Sequence, residues 1–132
     1  MRMWMSGTAR LSRQLVMVVG IGLIALITNR LALSTPRTAE EIRGLLDFVE
    51  HSECRFVRNG TEYSGPRARA HLQQKLDYLE SKNRVKSAED FIDLAATKSS
   101  MSGRLYEVRC SEGVEPASIW LKRELERQRQ IH

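Results

Sequence analysis

Residues 53–65 read ECRFVRNGTEYSG. At their centre, Asn59 and Gly60 suit a two-residue type I′ turn, whose central positions both need φ > 0. That turn would pair Val57 with Glu62 and Phe56 with Tyr63. Side chains alternate along a strand, so Cys54, Phe56 and Tyr63 share one face. A β-hairpin that opens on a cysteine is therefore predicted, and the flanking segments read outward from it.

Upstream, Thr38 and Glu41 have capping-box spacing. Ile42, Leu45, Leu46 and Val49 recur on one helical face, which predicts a helix over 39–51. Downstream, Pro66 suits a first helical turn, and Ala68, Leu72, Leu76 and Leu79 carry a second helix over 66–82. Ser87 and Asp90 open a third, with Phe91, Ile92 and Ala95 inward. The run RLYEVRC (104–110) then alternates. Tyr106, Val108 and Cys110 fall on one face and Leu105, Glu107 and Arg109 on the other. A turn comes next, then Pro116 near the start of a last helix whose inner face holds Trp120, Leu121, Leu125 and Gln128. The order α-β-β-α-α-β-α predicts an α+β domain with a three-stranded antiparallel sheet and four helices on one face.

The N-terminus reads as an address. MRMWMSGTARLSRQ carries Arg2, Arg10 and Arg13 and no acid, and the uncharged run Leu15–Ile27 after it has secretory h-region length. Ala32 and Ser34 form a small-x-small site that would place a cut before Thr35. The rival is an uncleaved membrane anchor over 15–33, with Arg30 snorkelling to the interface. Both export the chain from residue 35 onward. Residues 1–34 are thus expected to be a signal peptide or anchor and 35–132 a periplasmic domain, soluble after cleavage near Ser34 or tethered to the inner membrane.

Of the 21 basic residues, Arg2, Arg10, Arg13 and Arg30 precede residue 35, and none of the 16 acidic ones does. The domain itself is nearly neutral, and its segments mix both signs. This argues against a nucleic-acid partner, which would leave a basic stripe on the domain. Membrane contact is expected only through residues 15–33, if the leader stays.

Cys54 and Cys110 are the only cysteines, and both lie in the exported part. Compartment, even count and a shared core face favour a disulfide over a free thiol or a metal site. No C-x-x-C is present, and His51, Glu53 and Cys54 are too few and too close for zinc. No metal or cofactor is expected.

The loop before the last predicted strand, KSSMSG (98–103), holds the candidate chemistry. Lys98 beside Ser99 and Ser100 suggests a Ser–Lys pair, but the order is reversed from Ser-x-x-Lys signatures. A binding loop is the second reading: Lys98 and the hydroxyls of Ser99, Ser100 and Ser102 could hold an anion or glycan, with Gly103 permitting close approach. The plain reading is a polar turn, with Lys98 at the negative end of the third helix. His71, one turn before Lys75, reads as a partly buried, satisfied imidazole. Tyr63 and Tyr106 read as packing, and Arg58 and Arg109 as cross-strand partners of Glu62 or Glu107. His132 is terminal.

The segments LLDFVEHSECRFVRNGTEYSG, ARAHLQQKLDYL, SAEDFIDLAATKSSMSGRLYEVRC and WLKREL together resemble the YfeK-like family of small exported bacterial proteins, a domain of unknown function. The resemblance spans nearly all of residues 40–125. It implies a bacterial origin and export across the inner membrane, and no activity. Two classes of function are open to such a chain. The favoured one is a non-catalytic binding or accessory module of the envelope, with an envelope protein or cell-wall component as partner and no catalytic residue. The alternative is a small periplasmic hydrolase using Lys98-Ser99-Ser100.

Overall fold

The structure, a computed structural model, describes residues 35–132. The readings of residues 1–34 lie outside the described residues. Four helices and four strands run in the order α1 (Pro36–His51), β1 (Arg55–Arg58), β2 (Thr61–Tyr63), α2 (Gly65–Ser81), α3 (Ala88–Ala95), β3 (Glu107–Cys110), β4 (Gly113–Pro116) and α4 (Ala117–Ile131). Among the described residues no helix is long and apolar enough to cross a membrane.

The hairpin has the predicted register, with Phe56 opposite Tyr63 and Val57 opposite Glu62. Asn59 and Gly60 have φ of 50° and 79°, as a type I′ turn demands. β1 also pairs antiparallel with β3, Phe56 opposite Val108, so the sheet order is β2-β1-β3-β4. Extending the β1–β3 ladder one residue past Arg55 and Arg109 brings Cys54 opposite Cys110. The two form a disulfide with Cα atoms 4.4 Å apart, the spacing of a non-hydrogen-bonded antiparallel pair.

The sheet has four strands where the sequence predicts three, because β4 replaces what reads as a turn. Gly113 and Pro116 both discourage a strand in the interior of a sheet. β4 is an edge strand, however, and there Pro116 needs no ladder partner for its missing N–H. The loop into β4, Ser111–Glu112, carries no Asn-Gly signal.

The start of α1 also differs from expectation. Thr35, not Thr38, is the N-cap: its hydroxyl accepts from the Thr38 amide at 3.2 Å, and Pro36 opens the helix. Proline presets φ and needs no partner for a missing N–H, so the earlier of two overlapping signals prevails. Thr38 is buried instead. At α3 the Ser87 hydroxyl accepts from the Asp90 amide at 3.0 Å, while Asp90 accepts from Lys86 N rather than closing a reciprocal box.

Leu45, Val49, Phe91, Ile92, Val108 and Leu121 are fully buried where the helices meet the sheet. Trp120 stacks on Phe48 and meets Phe56 edge-on. At the rim, Arg129 of α4 forks onto Glu41 of α1 (3.0 and 2.9 Å) and reaches Glu89 of α3 at 2.6 Å. Those hydrogen bonds hold both carboxyls below the usual range.

Candidate functional site

The serine loop folds as a miniature hairpin. Lys98 bridges Leu105, Ser99 N donates to Arg104 O, and Gly103 N donates to Ser99 O, both at 2.9 Å. Gly103 has φ of 73°, the left-handed conformation that glycine tolerates. Ser99 is 2% exposed. Its Oγ accepts from Asn59 Nδ2 at 3.2 Å and from the Met101 and Ser102 amides at 3.3 Å each. Ser102 Oγ donates to Asn59 Oδ1. The hairpin turn thus clamps the serine loop through one asparagine. Lys98 and Ser100 are exposed on its outer side. Among the described residues no hydrogen bond joins the Lys98 ammonium to Ser99, whose oxygen is occupied by three donors. The geometry is that of an anchored turn.

Beside this loop, a pocket of about 330 Å³ opens between α2 and the sheet. Its lining includes the apolar side chains of Phe56, Leu72 and Leu121 and the polar ones of Arg58, His71 and Tyr106. Arg58 continues the core-face alternation of Cys54 and Phe56 at the end of β1. His71 and Lys75 stand one turn apart on α2, and Tyr106 precedes β3.

Hydrogen bonds order these four groups. Arg58 Nη1 lies 3.3 Å from His71 Nδ1, and His71 Nε2 lies 3.2 Å from the Tyr106 hydroxyl. A guanidinium only donates, so Nδ1 accepts and Nε2 carries the imidazole proton. Lys75 donates to Tyr106 Oη at 3.3 Å and to Lys98 O at 3.0 Å, which joins the cluster to the serine loop. Arg58 Nε is buried and has no hydrogen-bond partner among the described residues.

Burial, then the cations Arg58 and Lys75, hold the His71 imidazole below its ordinary value. Burial and Arg58 lower Lys75, and burial raises the Tyr106 phenol with Arg58 opposing. The unfolded chain therefore binds a proton at His71 before the folded one does. The contribution of His71 to stability is complete above about pH 6.5 and is lost as pH falls from there through the lower folded-state value. Denaturant titrations between pH 7 and pH 5 are expected to show this decline, with part of it removed in His71→Gln. The depressed carboxyls of Glu41 and Glu89 act at lower pH, below their ordinary 4.5. An identical pH profile for the variant would contradict the assignment.

The family model for a family of unknown function, DUF5329, matches residues 36–129. The chain belongs to this family. It is also similar to the uncharacterized protein YfeK of Salmonella typhimurium, with 34% identity over 86 residues that cover 63% of this chain and 70% of that protein. No solved structure matches the chain.

In this DUF5329 member, the expected binding residues Lys98, Ser99, Ser100, Ser102 and Gly103 do form one loop, with Ser99 turned inward. Arg109 pairs with Glu62 at 2.7 Å, as the cross-strand reading anticipates. Arg58 makes no such pair and turns to His71. The sequence does not mark the four-residue cluster as a unit. Its signal is a set of polar groups at core-facing positions: Arg58 in step with Cys54 and Phe56, and His71 and Lys75 beside Leu72 and Leu76.

Proposed function

We propose that residues 35–132 form an exported, non-catalytic binding module of the bacterial envelope, and that the pocket between α2 and the sheet is its binding site. The observation that carries this reading is the pocket itself, where Arg58, whose Nε has no partner among the described residues, converges with His71 and Tyr106 beside apolar side chains. A buried donor left unmade costs stability, and a fold keeps it where something else gains. A few convergent polar groups in a largely apolar cavity are also the usual composition of a ligand site. The leader reading and the Cys54–Cys110 bond support export into an oxidising compartment. The serine loop, held from both sides, is proposed as the rim that a partner or cell-wall component would meet.

Two measurements test this. A phosphatase fused after residue 40 is expected to be active, and a reporter that works only in the cytosol should be silent at the same junction; the reverse pattern rejects export. Native mass spectrometry of the full chain taken from its envelope is expected to show a bound small molecule. Ala70→Trp, at an exposed position of the pocket lining, should lose it. Equal retention by both proteins would reject the pocket as the site.

A further inference from the structure

We infer that the pocket takes an amphipathic carboxylate, with its head group at Arg58 and Tyr106 and its apolar chain along Phe56, Leu72 and Leu121. The inference rests on the pocket being the binding site, and adds the chemistry of the molecule that enters it.

The first argument is a count of donors and acceptors. The Tyr106 oxygen has two lone pairs, and these face His71 Nε2–H and Lys75 Nζ. Its own hydrogen meets no acceptor among the described residues. The guanidinium of Arg58 makes one hydrogen bond there, from Nη1 to His71 Nδ1; its Nη2 donates to nothing, and its buried Nε–H has no partner either. Every acceptor that the cluster owns is used, and donors remain. Arginine and lysine supply no lone pairs. A group that only accepts would complete such a set.

The second argument is charge. The groups facing His71 are Arg58 from β1, Lys75 from its own helix α2, and Tyr106 ahead of β3. None is acidic. Glu107 borders the pocket but lies on the opposite face of the strand from Tyr106, and it sits 3.8 Å from Arg109. A neutral acceptor would satisfy the hydrogen bonds and leave two partly buried cations without a counter-ion. Buried charges are held at low cost only when paired. A carboxylate supplies two oxygens to a guanidinium and a phenol in the geometry that arginine favours.

The third argument is shape. Apolar side chains, among them Val49, Phe56, Leu72 and Leu121, make up much of the lining, and a volume of about 330 Å³ is at the small end for ligand pockets. This suits a single short chain. A bulky head group or a folded partner does not fit.

Calorimetric titration of the full chain with decanoate, decan-1-ol and acetate tests the inference, with Ala70→Trp as the control that keeps the leader and closes the pocket. Decanoate is expected to bind at one site. Decan-1-ol and acetate should each bind about tenfold more weakly or worse, the worth of one charge-assisted hydrogen bond or of the buried chain. Arg58→Met should weaken decanoate by about tenfold or more. Tyr106→Phe keeps the ring and removes only the hydroxyl, so it decides the matter if Arg58→Met does not fold, with a loss of severalfold expected. Should decan-1-ol match decanoate, or a folded Arg58→Met or Tyr106→Phe variant bind decanoate as the wild type does, the carboxylate inference falls while the binding-module reading stands. If Ala70→Trp changes the binding of none of the three probes, both fall.

Discussion

Removing the Cys54–Cys110 bond, by replacing both cysteines with serine, is expected to destabilise the domain by about 2–5 kcal/mol, with about 4 kcal/mol from the chain-entropy model for a loop of this length. The two residues are 56 apart in sequence, and the closed loop contains the hairpin, α2, α3 and the serine loop. In the unfolded chain the bond restricts most of the domain at once. In the folded chain it extends the β1–β3 ladder, the pairing that brings the first part of the domain to the last. A domain of this size has a modest core, so the loss is a large share of a total that is typically about 5–15 kcal/mol. Urea titration of the double variant, beside the wild type with and without reductant, measures it. Reduced wild type and double variant should coincide. The denaturant dependence should steepen without the bond, because a longer unlinked chain exposes more surface on unfolding. Superposable curves for oxidised and reduced protein would show that the bond does not stabilise the fold.

Much of this architecture is legible where local rules and tertiary demands agree. The Asn59-Gly60 hairpin is predicted to the residue because only a few dipeptides tolerate two successive positive φ angles. The inward faces of α2, α3 and α4 match their periodicity, since each helix has one side to bury. β4 escapes because four residues with a glycine at one end and a proline at the other look like a turn, and only pairing with β3 makes them a strand. The cap of α1 is misplaced by one turn because Thr35 and Thr38 offer competing signals, and the proline between them settles which one operates.

The candidate site is harder to read for a related reason. Arg58, His71, Lys75 and Tyr106 come from three separate segments, and each alone has an ordinary explanation. Their meaning appears only when the sheet order sets β1 beside β3 and α2 packs against β1. The serine loop shows the converse. Its composition suggests chemistry, yet the hydroxyl of Ser99 is turned to a structural use by Asn59, 40 residues earlier. No local pattern joins those two positions.

Gly65→Ala is expected to cost about 3 kcal/mol, the upper part of the usual range for overpacking. Its sign is the informative part, because alanine within a helix is ordinarily favoured over glycine by up to about 1 kcal/mol. Gly65 is buried at the start of α2, against the end of α1. A Cβ there would lie 2.5 Å from Val49 O, 2.7 Å from Glu50 O and 3.0 Å from Ser52 O. These are backbone atoms, and they cannot rotate away as a side chain would. Val49 O also accepts the Ser52 amide that ends α1. Retreat is blocked on the other side as well: only Ser64 separates α2 from β2, and β2 is held in the sheet. Gly44, within α1, supplies the control. Its added Cβ would meet the end of the Gln128 side chain, which can swing aside. Gly44→Ala should therefore be neutral or stabilising by up to about 1 kcal/mol. Melting curves of the two variants are expected to move in opposite directions from the wild type. If Gly65→Ala instead stabilised the protein as Gly44→Ala does, α2 could not begin where it does against α1. The helix that carries His71 and Lys75 would then have to be placed differently.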